Sequence, residues 1–276
     1  MYSRVETITP ELALKYLEHN RKNRVLRPSV VKRYANDMLN GYWQLTPQGI
    51  SFYENGDLAD GQHRLNAVVH ANIPVEFQVT YGVAEDCTIQ DRGIKRSTSD
   101  VLHLAGVTSS AATTNGIAAI NYLFVMANNH GVVSDTTIKK FLEDGKNEEL
   151  ICESLAISNV GSNKMQLLRK APIIAGIYCA LYCGVPKECL YSFAKIANSG
   201  FTDSPKEQAA IVLRNYMIQN FTNKNTAERR FAFVVATNAI KDFASGTPRQ
   251  KVYKSNTDPA FWKYVKKSAM DKFVSK

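Results

Sequence analysis

The spacing of apolar residues changes once along this chain, and that change limits the possible folds more than any other feature. Up to about Tyr81, helical stretches alternate with short β-rich runs. From Thr98 onward the apolar positions recur at helical spacing almost to the end. Thr9-Pro10-Glu11 reads as a helix start, with a capping hydroxyl, a proline at the first helical position and an acid in the first turn. Leu12, Leu14, Tyr16 and Leu17 give that helix its apolar face, and it ends near Asn20. Pro28 opens a second helix that Gly41 stops. Strands follow at 49–53 and 58–59, joined through Glu54-Asn55-Gly56-Asp57, where Asn-Gly is a tight-turn signal. A third helix begins at Gly61-Gln62-His63-Arg64, ends at Ile73-Pro74, and leads into a half-buried strand at 75–81. Beyond it, helices are expected at 98–105, 111–129, 135–144, 146–156, 163–183, 186–198, 205–221 and 226–244. The expected fold is an α+β domain over residues 1–110 followed by a mostly α-helical region over 111–276.

Charge divides the chain at the same place. Residues 1–110 hold twelve Lys/Arg and twelve Asp/Glu, leaving 22 of the 34 cations and 13 of the 25 acids beyond them. The whole net charge of +9 therefore sits in the helical region, which suits a polyanionic partner such as DNA and equally a solubilising surface. No apolar run is long enough to span a bilayer and the polar start lacks a signal-peptide core, so a cytoplasmic protein without a membrane partner is expected. The five cysteines are odd in number, and none forms a Cys-x-x-Cys pair. Cys179 and Cys183, at helical spacing, read as small core residues rather than zinc ligands.

The chemistry concentrates in Asp60-Gly61-Gln62-His63-Arg64, where a strand gives way to a helix. The N-terminus of a helix carries outward-pointing N–H groups and about half a positive charge, and so attracts anions. Gly61 lets a phosphate approach the backbone, Arg64 can pair with two phosphate oxygens, and His63 can donate a hydrogen bond or shuttle a proton. Asp60 can ligate Mg²⁺ or accept a proton from an attacking hydroxyl. The plainer alternative is that Asp60 caps the helix while His63 and Arg64 make surface pairs.

The string Asp60-Gly61-Gln62-His63-Arg64-Leu65-x-Ala67 resembles the phosphate-binding motif of the ParB/sulfiredoxin superfamily, in the Asp-Gly-Gln-His-Arg spelling of phage ParB-like and DNA-modification-associated proteins. The flanks are similar as well: a basic segment, a helix, Trp43, a short strand, the Asn-Gly turn, the motif and an Ile-Pro-Val strand, over roughly 5–100. The resemblance implies ATP or CTP, with Mg²⁺, held at Gly61, Gln62, His63 and Arg64, and either hydrolysis or transfer of a phosphoryl group. It also implies a bacterial or phage setting, and a homodimer is among the expected partners. Gln62 stands where sulfiredoxins carry their cysteine, which argues against sulfinic-acid reduction. Gln62-His63 replaces the Glu-Arg of partition proteins, and the kinase-type base would have to come from Glu6, Glu11 or Glu18, none of which stands out.

Two further basic groups accompany the motif. Asp91-Arg92-Gly93-Ile94-Lys95-Arg96-Ser97 can close over a phosphate chain, so Arg92, Lys95 and Arg96 join the candidate ligand-binding residues. Arg24, Arg27, Lys32 and Arg33 either complete a phosphate pocket or form an exposed helix face. The Lys/aromatic tail from Lys251 to Lys272 suits single-stranded nucleic acid, or a terminal helix docked on its own domain. The expected function is a nucleotide-binding NTP hydrolase or phosphotransferase acting near DNA, with Asp60, His63 and Arg64 as its catalytic residues. The alternatives are a non-catalytic DNA-binding regulator and a ParB-like nuclease.

Overall fold

The computed structural model describes residues 1–21, 23, 25–85, 97–128, 133–161, 167–222, 224–254 and 256–273. The chain forms two compact units, Met1–Lys95 together with Phe273–Lys276, and Arg96–Lys272. The first is α+β, with elements in the order β1 (Tyr2–Ile8), α1 (Pro10–Leu17), α2 (Pro28–Leu39), β2 (Ile50–Tyr53), β3 (Leu58–Asp60), α3 (Gln62–Ala71) and β4 (Val75–Val83). Its single sheet runs β1-β4-β2-β3, with β1 antiparallel to β4, β2 antiparallel to β3, and β2 parallel to β4. A parallel pair needs a crossover, and α3 supplies it.

Local rules account for these elements. Thr9 Oγ1 accepts the Leu12 N–H at 3.2 Å, capping α1 above Pro10. In the hairpin, Asn55 Oδ1 accepts the Asp57 N–H at 2.8 Å and Gly56 donates to the Tyr53 carbonyl at 3.0 Å. Val75, Phe77 and Val79 of β4 alternate inward and meet Ile50 and Phe52 of β2. Leu65 and Val68 of α3 cover that face, and α1 and α2 both pack on α3. Gly49, just before β2, has no room for a side chain, because a Cβ there would lie 1.6 Å from the Gln78 carbonyl oxygen.

β1 is absent from the sequence expectations. Of its seven residues only Ile8 is buried, so no apolar run announces it. It exists because β4 offers an edge, along which Tyr2 to Ile8 pair in continuous register from Tyr81 back to Val75.

Among its described residues the second unit has helices and no strand: α4 (Thr98–Leu104), α5 (Thr114–Asn128), α6 (Asp135–Glu143), α7 (Gly145–Ser158), α8 (Ala171–Tyr182), α9 (Lys187–Ser199), α10 (Gln208–Gln219), α11 (Thr226–Ala244) and α12 (Trp262–Val265). The apolar α8 is its centre, packed on α5, α7 and α11. Two boundaries differ from expectation. The division falls at 95/96 rather than 110, because α4 is tied into the helical unit. Thr98 Oγ1 donates to Asp135 at 2.6 Å and Ser99 Oγ to the Ala112 carbonyl at 2.7 Å. The helix expected at 163–183 starts only at Ala171, since Pro172 fits a first turn and not a helix interior.

After α12 the chain widens into a π turn over Lys266–Met270. Trp262, Val265, Ala269 and Met270 are buried, and the Trp262 ring meets Phe233 edge-on at 5.6 Å. The segment through Met270 therefore packs within the helical unit. Cys179 is fully buried and Cys183 half-buried, and burial pushes both thiols above their ordinary range. Among the described residues no helix is long and apolar enough to cross a membrane.

Candidate functional site

The junction between β3 and α3 is built around Gly61. Its φ of 115° lies in the region that favours glycine, and an added Cβ would sit 3.1–3.3 Å from Ile50 atoms. This turn lifts the chain off the sheet so that the N-terminus of α3 opens on a cleft. The cleft has a volume of about 390 Å³ and is lined by Arg27, Arg33, Tyr34, Gln48 and the turn residues Asp60, Gly61, His63 and Arg64.

Each motif side chain has a distinct setting. Asp60 Oδ1 accepts the Gly61 N–H at 2.7 Å, and its Oδ2 accepts from Arg64 Nη1 at 3.3 Å. Arg64 Nη1 also donates to the Gly49 carbonyl at 3.1 Å. The Arg64 side chain is only 15 % exposed, against 69 % for Asp60, so the guanidinium is held in place while the carboxylate faces solvent. His63 is 7 % exposed, and its Nε2 accepts the Arg27 backbone N–H at 3.0 Å. That bond fixes a neutral imidazole with its proton on Nδ1. Nε2 is thus occupied in holding the segment before α2, and Nδ1–H is the ring's donor side.

Gln62 differs from the others. Its side chain is buried, with Oε1 accepting from Asn20 Nδ2 at 3.2 Å, so it contributes backbone and not side chain to the helix terminus. The basic segment before the strand is split by its helix: Arg27 and Arg33 line the cleft, whereas Lys32 is exposed and does not. The guanidinium of Arg33 lies 5.4 Å from the Tyr34 ring centroid. Three arginines and a helix N-terminus therefore face one carboxylate. Arg92, Lys95, Arg96 and Arg24 lie outside the described residues. Among the described residues no three His, Cys, Asp or Glu side chains gather as a metal cluster.

A second polar group escapes sequence reading. Glu6 of β1 accepts hydrogen bonds from Tyr16 at 2.7 Å, from Tyr81 at 2.6 Å and from Arg4 at 2.7 Å. Glu11 and Glu18 are exposed, so Glu6 is the N-terminal acid with a built environment. Burial pushes its pKa up, but the hydrogen bonds from Tyr81, Arg4 and Tyr16 outweigh it and hold the carboxyl below its ordinary range. Tyr16, Phe52 and Tyr81 also line an aromatic cavity of about 300 Å³. The inward alternation of Phe77, Val79 and Tyr81 hinted at this cluster, but only recognition of β1 would have completed it.

No protein-family model, curated protein or solved structure matches the chain.

Proposed function

We propose that the chain binds a phosphorylated ligand, a nucleoside triphosphate such as ATP or CTP, in the cleft at the N-terminus of α3. One observation carries this reading: Arg27, Arg33 and Arg64 line the cleft into which that helix terminus opens. The resemblance of the Asp60–Arg64 string to the ParB/sulfiredoxin motif extends the proposal to NTP hydrolysis or phosphoryl transfer in a DNA-related process.

The geometry supports binding by pre-placed charge. Arg64, braced by Gly49 and Asp60, meets phosphate oxygens with little ordering cost. Arg27 and Arg33 take the remaining phosphate charge, and Tyr34 offers a ring beside it. His63 aligns the Arg27 segment through Nε2. Mg²⁺, which would neutralise charge on the phosphates, would be held by Asp60, the exposed carboxylate of the cleft. A single carboxylate among the described lining residues favours phosphate binding over a nuclease built on paired acids.

Calorimetric titration of ATP, CTP, GTP and UTP with Mg²⁺ into wild type and an Arg27→Ala/Arg33→Ala variant tests the reading. Saturable binding of one nucleotide, lost in the variant, is expected. No binding of any of the four would overturn it.

A further inference from the structure

We infer that the outer face of the C-terminal segment, Lys263 to Lys267, is a docking surface for single-stranded nucleic acid, independent of the nucleotide cleft. The segment divides its side chains by burial. Trp262, Val265, Ala269 and Met270 enter the core of the helical unit. Lys263, Tyr264, Lys266 and Lys267 stay outside, and Tyr264 as a residue is 60 % exposed. None of those three lysines is in an ion pair among the described residues, whereas Lys272 is neutralised by Asp144 at 2.7 Å. The nearest acids along the chain are Asp258 and Asp271.

The aromatic part extends beyond this segment. Tyr264 lies 6.3 Å, centroid to centroid, from Tyr182, and Lys146 Nζ stands 4.4 Å above the Tyr182 ring. The segment thus offers an exposed tyrosine beside a second ring that lies beneath a cation, together with three ammonium groups that are in no ion pair among the described residues.

The chemistry selects the partner. Lysines attract any phosphate backbone, but an exposed ring gains contact only from a base free to leave its own stack, which a duplex does not offer. Stable anchorage on an anionic membrane takes inserted apolar side chains beyond a few lysines, and here Trp262, Val265 and Met270 are already buried in the unit's own core. Phosphates on Lys263, Lys266 and Lys267 with a base on Tyr264 satisfy every exposed group of the face.

The test is fluorescence anisotropy on the full chain with labelled oligothymidine of about twenty nucleotides, the matching oligouridine, a duplex of equal length and phosphatidylserine vesicles, across a salt series. Wild type is expected to prefer the single strands, and the comparison of thymidine with uridine separates DNA from RNA. Lys263→Ala/Lys266→Ala/Lys267→Ala is expected to lower the salt slope by about 2, at about 0.7 for each phosphate that a lysine no longer neutralises. Tyr264→Ala is expected to weaken single-strand binding roughly tenfold while Tyr264→Phe retains it. Equal binding of single strand and duplex, preference for vesicles, or a triple variant with unchanged slope would each overturn the inference.

Discussion

Arg27 presents its backbone N–H to Nε2 of His63 at 3.0 Å, joining residues 36 positions apart in sequence. The motif histidine therefore has a structural duty as well as a position in the cleft. Removing it in His63→Ala leaves the Arg27 N–H without its acceptor, and a stability loss of about 1–2 kcal/mol is expected from urea unfolding. Nucleotide affinity should fall at least about tenfold in the same variant, because the Arg27 segment loses its alignment. His63→Asn, which can still accept a hydrogen bond, should recover part of the stability.

Arg64 differs in kind, since its neighbours position it and do not depend on it. Arg64→Ala should reduce nucleotide affinity by about two orders of magnitude with a stability change of about 1 kcal/mol. Arg64→Lys should restore little affinity, because an ammonium cannot pair in the two-pronged geometry of a guanidinium. Calorimetry and urea unfolding on the same preparations separate the two effects.

Two glycines can be ranked by what a methyl group would meet. At Gly49 it would overlap the Gln78 carbonyl oxygen at 1.6 Å, so Gly49→Ala should cost at least about 3 kcal/mol or prevent folding of the first unit. At Gly61 it would crowd Ile50 at 3.1 Å and hold an alanine at a φ of 115°, for about 2 kcal/mol. Gly61→Ala should also weaken nucleotide binding, because the turn that opens the helix terminus shifts. Thermal melts followed by titration give both answers.

Glu6 sets an acid limit for the first unit. Its carboxyl is held below its ordinary range in the folded state, so the ionised form stabilises the fold above the unfolded pKa of about 4.3. That contribution is lost as pH falls through the lower, folded value. Wild type should therefore lose melting temperature steeply below about pH 4, whereas Glu6→Gln should start lower and fall less over the same interval. A parallel slope in both proteins would assign the acid sensitivity elsewhere.

The sequence carried the local features well. Pro10, Pro28 and the Asn55-Gly56 turn each act within a few residues, and the elements they announce begin or turn at those residues. The cleft was half legible. The Asp60–Arg64 turn is contiguous, but whether Arg27, Lys32 or Arg33 joined it depended on the rotation of α2, which periodicity does not set against a distant turn. The inward side chain of Gln62 was hidden for a similar reason, since its partner Asn20 lies in the segment that follows α1. β1 and Glu6 were illegible because the strand is mixed polar and apolar on both faces and takes its meaning from β4.

That pairing also orders events in time. Ser3 and Thr80, bonded side chain to side chain, are 77 residues apart, so the strand made first has no partner until the last strand of its unit exists. The helical unit has long closures of its own, since α8 packs on α11 and Tyr122 donates to the Arg229 carbonyl 107 residues on. Refolding of the first unit from denaturant should accordingly show β1 joining last, because it must wait for the longest loop in its sheet to close.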